Sequence, residues 1–153
     1  MNIKAIIKSM EYDSNGSLVR VYVSHKELLG TWQENADLFS AGQTVSGIIR
    51  SIEEYGIFVE LTPNLAGLSE YRDDVVIGQT AAVYIKSIIP ERMKIKLVLI
   101  DSYKGDLQIP KMHYYINDKT ETHIDYWRYS PPCCPRVIET SFLPSDSESE
   151  LRI

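Results

Sequence analysis

Between Gly42 and Asp101 apolar side chains recur at every second position. Val45, Gly47 and Ile49 make one run, Ile57, Val59 and Leu61 the next, then Val83 with Ile85, and Ile95 with Leu97. Period-two alternation rich in Val, Ile, Tyr and Phe predicts half-buried strands rather than helix. The breaks carry turn residues: Glu53-Glu54-Tyr55-Gly56, Thr62-Pro63-Asn64, Ile77-Gly78 and Pro90-Glu91-Arg92. These four breaks divide the stretch into five short strands, which predict an all-β fold that closes, because closure removes the edges an open sheet would leave. The expected architecture is a five-stranded barrel of the oligonucleotide-binding (OB) type.

The flanks follow other patterns. Residues 3–10 predict a strand, Asp13–Ser17 an Asn-Gly turn and Leu18–Val23 a second strand, together an N-terminal hairpin outside the barrel. A lone two-stranded hairpin is barely stable in water, so it must pack on the rest of the chain or on a partner. From His25 to Phe39 the period changes. Leu28, Leu29, Trp32, Ala36 and Phe39 fall at three- and four-residue steps, the apolar face of a helix or helical pair. Gly30-Thr31 interrupts it, with Thr31 as N-cap and Glu34 completing a capping box. This places Trp32 in the core with Leu28 and Phe39. Beyond Tyr103, the segments Leu107–Pro110, Met112–Ile116, His123–Tyr129 and Arg136–Phe142 predict short strands. Their six aromatics between 114 and 142 require burial, so an ordered β-rich appendage is expected, followed by a mobile Ser- and acid-rich tail. The resulting division is 1–41, 42–101, 102–143 and 144–153.

The central residues resemble the S1 domain family, RNA-binding barrels named after a bacterial ribosomal protein. The matching positions are Gly42-x-x-Val45-x-Gly47-x-Ile49, Tyr55-Gly56-x-Phe58-Val59-x-Leu61 and Gly67-Leu68-Ser69-Glu70. They continue through Val76-x-Gly78-x-x-Ala81-x-Val83-x-Ile85 to Lys94-Ile95-Lys96-Leu97. The hairpin's Arg20-Val21-Tyr22-Val23-Ser24-His25-Lys26 resembles the exit of such a domain, a pattern that Lys94–Val98 repeats loosely. Residues 1–41 therefore read either as the end of a preceding repeat with its helical linker, or as an unrelated hairpin capping the sheet. The resemblance implies single-stranded RNA (mRNA) as ligand and a translation-related role. It also implies base stacking on Tyr55 and Phe58, although Phe58 could instead fill a gap under a loop. The candidate phosphate contacts are Arg50, Lys86 and Lys94. Three positions depart from the family: Glu70 replaces a histidine, Ile89-Pro90 replaces an acid, and Lys94 replaces an arginine, keeping charge but losing the planar fork.

Charge tempers this picture. The chain of 153 residues carries a net charge of −5, and residues 42–101 hold six basic side chains against eight acids. Any RNA site must be a local patch, with weak binding expected. A rival from another class is a docking module for a ribosomal protein or a second copy of the chain, using the aromatics around Tyr126 and Trp127. Forty-four per cent of residues are hydrophobic and 24% charged, as in ordinary globular proteins. No apolar run approaches bilayer length, and the only cysteines, Cys133 and Cys134, are neighbours, so a reducing cytoplasmic setting without membrane contact is expected. His113, His123, Cys133 and Cys134 could supply zinc ligands, but no Cys-x-x-Cys spacing occurs, so no metal or other cofactor is expected. No nucleophile elbow, phosphate-cradling loop or catalytic pair is evident, and no catalytic residues are expected: the chain reads as a binding protein rather than an enzyme.

Overall fold

The alternating residues form a closed barrel in the computed structural model, which describes residues 3–104 and 112–142. An N-terminal hairpin precedes it, β1 (Ile6–Tyr12) and β2 (Leu18–Ser24), forming its own two-stranded sheet. The barrel strands are β3 (Thr44–Glu53), β4 (Gly56–Thr62), β5 (Leu65–Ser69), β6 (Thr80–Ile89) and β7 (Lys94–Tyr103), joined in the order β3-β4-β5-β7-β6. All neighbours are antiparallel except β5 and β7, which run parallel and share only the pairs Leu68–Lys96 and Ser69–Leu97. Alternation sends Ile49, Ile57, Val59, Val83, Ile85, Ile95 and Leu97 inward to a common core. This is an all-β OB fold. Close approach explains one of its glycines: a Cβ on Gly47 would lie 2.5 Å from Val59 Cγ1 and 2.7 Å from the carbonyl oxygen of Glu60.

The linker bears out the expected helical pair. A 3-10 turn at Lys26–Leu29 leads to α1 (Trp32–Ala36). Thr31 and Glu34 form the capping box: Glu34 N–H donates to Thr31 Oγ1 at 3.1 Å, and Thr31 N–H to Glu34 Oε1 at 3.0 Å. Between them Gly30 takes φ 94°, and a Cβ there would meet the Tyr115 ring at 2.6 Å. Trp32 and Ala36 join the barrel core, with Phe39 packed against it, whereas Leu28 is buried where the hairpin meets the appendage.

Beneath α1 lies a polar network. Asn35 is almost wholly buried and donates from Nδ2 to the carbonyls of Leu29 (3.0 Å) and Thr31 (2.8 Å). Its Oδ1 accepts from the Thr62 hydroxyl at 2.7 Å. Asn64, in the β4–β5 turn, donates to the carbonyls of Lys26 (3.1 Å) and Gly30 (2.7 Å), and its own carbonyl accepts from the Tyr129 hydroxyl at 2.6 Å. Barrel, linker and appendage are thus tied together by amide and phenol groups.

The appendage is less regular than the sequence predicts. Its ladder is confined to β8 (Tyr126–Arg128) and β9 (Glu139–Ser141), shorter than the expected His123–Tyr129 and Arg136–Phe142. Met112–Ile116 is not a strand. It meets the linker through one backbone bond, Tyr115 N–H to Leu28 O at 2.8 Å, and a 3-10 turn offers no sheet edge along which to extend a ladder. Arg128 orders the Pro-Pro-Cys-Cys loop by donating to the carbonyls of Pro131 and Cys134. The expected strand at Leu107–Pro110 and the tail beyond Pro144 lie outside the described residues. No helix among the described residues is long and apolar enough to cross a membrane.

Burial pushes the Tyr129 phenol up to about 12. An unfolded tyrosine ionises near ~10, and only the neutral phenol can donate to Asn64. The contribution of Tyr129 to stability is therefore intact below pH ~10 and is lost as pH rises toward ~12. We expect wild-type denaturation midpoints to fall more steeply over this window than those of Tyr129→Phe. Parallel pH dependences in the two proteins would contradict this.

Candidate nucleic-acid interface

An OB barrel presents ligands with the face of its second and third strands and the loops that border them. Here those strands are β4 and β5, and the bordering loops are the β3–β4 turn and Pro90–Met93. The β3–β4 turn is two residues long, Glu54-Tyr55, and leaves Tyr55 two-thirds exposed. Phe58 follows on β4, half-buried opposite Leu68, its ring edge-on to Tyr55 with centroids 6.1 Å apart. The two aromatics form one corner, with Tyr55 the more available ring.

Tyr55 closes one end of a groove of about 340 Å³. The groove follows the seam where parallel β5 and β7 meet. Leu68 to Arg72 form one wall, and Lys86 of β6 with Lys96 to Leu99 of β7 form the other. Lys86 and Lys96 point outward because Ile85, Ile95 and Leu97 point inward. Lys94 shares the face of Lys96, one pleat nearer the Pro90–Met93 turn and opposite Ile89. None of these three lysines has a carboxylate within 4 Å among the described residues. The groove therefore brings together an exposed aromatic and two free cations.

The structure separates Arg50 from this set. Its Nε and Nη2 both donate to Glu60 Oε2, at 3.2 and 2.8 Å, away from the groove. Arg72 does line the groove but is similarly engaged. It pairs with Asp74 and donates to the Leu99 carbonyl, and their mutual hydrogen bond raises the Arg72 pKa and lowers that of Asp74. Glu70 stands exposed on the groove wall and adds a negative charge there. Two residues not among the expected contacts also line the groove. Lys96 has the parity of Lys94, a signal present in the alternation, and Tyr71 is a half-exposed aromatic just after β5. Tyr84 extends the outer surface beyond Lys86, paired with Val98 across β6 and β7.

The four candidate zinc ligands form no cluster among the described residues, and Cys133 is exposed. His123 pairs with Asp125 at 2.6 Å, His113 packs edge-on against Tyr115, and Cys134 is buried. Of the tail aromatics proposed for docking, Tyr126 is half-exposed and bonded to Glu139, whereas Trp127 is buried within the appendage.

No family model matches the chain. A stretch of 39 residues, 26% of the chain, is 38% identical to the small ribosomal subunit protein bS1 of Leuconostoc lactis, and it spans 9% of that protein. A solved structure of an uncharacterized protein from Methanocaldococcus jannaschii aligns over 40% of this chain and 93% of its own, at 26% identity and a TM-score of 0.38. The partial likeness to bS1 and the closed five-stranded barrel both fit an S1-type OB fold.

Proposed function

We propose that the barrel binds single-stranded RNA, stacking a base on Tyr55 and setting phosphates against Lys86 and Lys96. The observation that carries this reading is the groove itself: the exposed rings of Tyr55 and Tyr71 beside two lysines with no carboxylate within 4 Å among the described residues, on an OB barrel. Stacking accepts any base, since each has a π-face, so selectivity is low. The partial likeness to bS1 supports a translation-related setting in the cytoplasm, with mRNA or the ribosome as context. The role is binding rather than catalysis. Arg50 is omitted because Glu60 already holds it, and Lys94 lies on the same face outside the groove, toward the Pro90–Met93 turn.

Titration of labelled oligouridylate at low and moderate salt tests the reading. Tyr55→Ala should weaken binding by about 1–3 kcal/mol with little change in stability, because the ring is exposed. Two phosphate contacts predict a shallow log–log salt slope near −1.4, at roughly −0.7 per contact on a single strand. Lys86→Ala or Lys96→Ala should each remove about half of it. Glu70→His should tighten binding by clearing a carboxylate from the groove. A Tyr55→Ala curve that overlays wild type would sink the stacking role, and no binding by wild type at low salt would sink the function.

A further inference from the structure

The two walls of the barrel groove carry opposite charge. Lys86 and Lys96 stand on the β6–β7 wall, and Glu70 stands on the wall formed by β5 and the residues after it. Glu70 is exposed, and no cation lies within 4 Å of its carboxylate among the described residues. Arg72, two residues on, is already held by Asp74 and the Leu99 carbonyl. Tyr55 belongs to the Glu70 side. Ile57 pairs with Ser69, so Gly56 and Glu70 follow as neighbours at the end of the β4–β5 ladder, and Tyr55 adjoins Gly56. A Cβ on Gly56 would collide with the Ser69 carbonyl oxygen, and the position beside Glu70 therefore carries no side chain. An aromatic platform, an open place and an unpaired carboxylate thus meet at one end of the groove.

We propose that Glu70 reads the base stacked on Tyr55, and that the base it selects is guanine. The inference rests on the RNA reading of this groove and adds a preference that stacking alone does not give. Charge orients the strand: phosphates are drawn to the Lys86–Lys96 wall, which turns the bases toward Tyr55 and Glu70. There an unstacked base presents its Watson–Crick edge. A carboxylate only accepts hydrogen bonds, through two oxygens set side by side. Guanine offers N1–H and the N2 amine as two adjacent donors on that edge, so both oxygens are matched. Cytosine and adenine each offer one amine beside a ring-nitrogen acceptor, and uracil offers one N–H between two carbonyls. Each of these three sets a lone pair against Glu70. The same carboxylate therefore disfavours a strand of uridines and retains one that places guanine beside Tyr55.

Labelled short oligouridylates with guanosine, adenosine or inosine at the central position, titrated with the full chain at low salt, test this. Guanine and adenine are both purines that stack on an aromatic ring, so their difference reports the edge rather than the π-face. The guanosine strand should bind about 5- to 10-fold tighter than the adenosine strand, the lower part of the range for a two-bond base contact. Inosine keeps N1–H but lacks the N2 amine, and should fall between them. In Glu70→Ala, an exposed position whose loss leaves the fold intact, the three strands should converge on one affinity. Equal binding of guanosine and adenosine strands by wild type would overturn the role of Glu70 and leave the stacking groove standing. So would a guanosine preference that survives Glu70→Ala. No binding of any strand by wild type would overturn the RNA reading, and this inference with it.

Discussion

Trp32→Ala unfolds at a markedly lower denaturant concentration than wild type, with a loss of about 3–5 kcal/mol. The indole is 2% exposed and belongs to the same cluster as Ile57, Val59 and Leu65 of the barrel. Removing it opens a cavity at the barrel floor, and the loss combines transfer free energy with a void that five closed strands cannot collapse to fill. The effect reaches beyond the barrel. The Trp32 backbone N–H donates to the Tyr129 carbonyl at 2.9 Å, so a shifted helix also loosens the appendage. The check is a pair of probes, far-ultraviolet dichroism for the whole chain and Trp127 fluorescence for the appendage, which should fall together. A midpoint equal to wild type would mean that the indole is not part of the core.

Asn35→Ala costs about 3 kcal/mol, more than its small side chain suggests. Its amide satisfies two carbonyls and one hydroxyl in a place water does not reach, and each buried group left without a partner costs roughly 1–3 kcal/mol. Asn35→Asp separates chemistry from shape. The carboxylate keeps the volume but replaces two donors with an acceptor, so it faces the Leu29 and Thr31 carbonyls with lone pairs. It should be at least as destabilised as the alanine variant at neutral pH. If Asn35→Asp instead matched wild type in urea, water rather than Asn35 would be satisfying these carbonyls.

The barrel was legible because its signal is repetitive. Four runs of alternating side chains, with turn residues marking off a fifth strand, leave little freedom in register, since a one-residue slip would turn Ile57, Val59, Val83 and Ile85 out to solvent. Tyr55 was singled out by the resemblance, and its place in a tight turn leaves the ring exposed. Lys96 was passed over because the resemblance singled out Lys94, although the pleat puts both on one face. Arg50 looked free because nothing in one dimension shows that Glu60, ten residues on and paired with Ile48, comes within reach of it across β3 and β4. Asn35 and Asn64 read as ordinary linker and turn residues, and only the packed structure shows that their amides hold the linker. The appendage was the least legible. Its aromatics were expected to be buried, but of the six only Trp127 is, and rings half-buried against the linker give the same composition as rings on strands.

The two-pair seam between β5 and β7 also bears on how the chain acquires its shape. Hairpins β3–β4, β4–β5 and β6–β7 each join neighbours in sequence, whereas Leu68 and Ser69 must find Lys96 and Leu97 across the whole of β6. Loop-closure entropy therefore opposes this contact before much hydrogen bonding rewards it. The β3–β6 ladder is non-local too, but it has five pairs to reward its closure where the seam has two. The groove proposed for RNA lies along the part of the barrel held by the fewest backbone pairs.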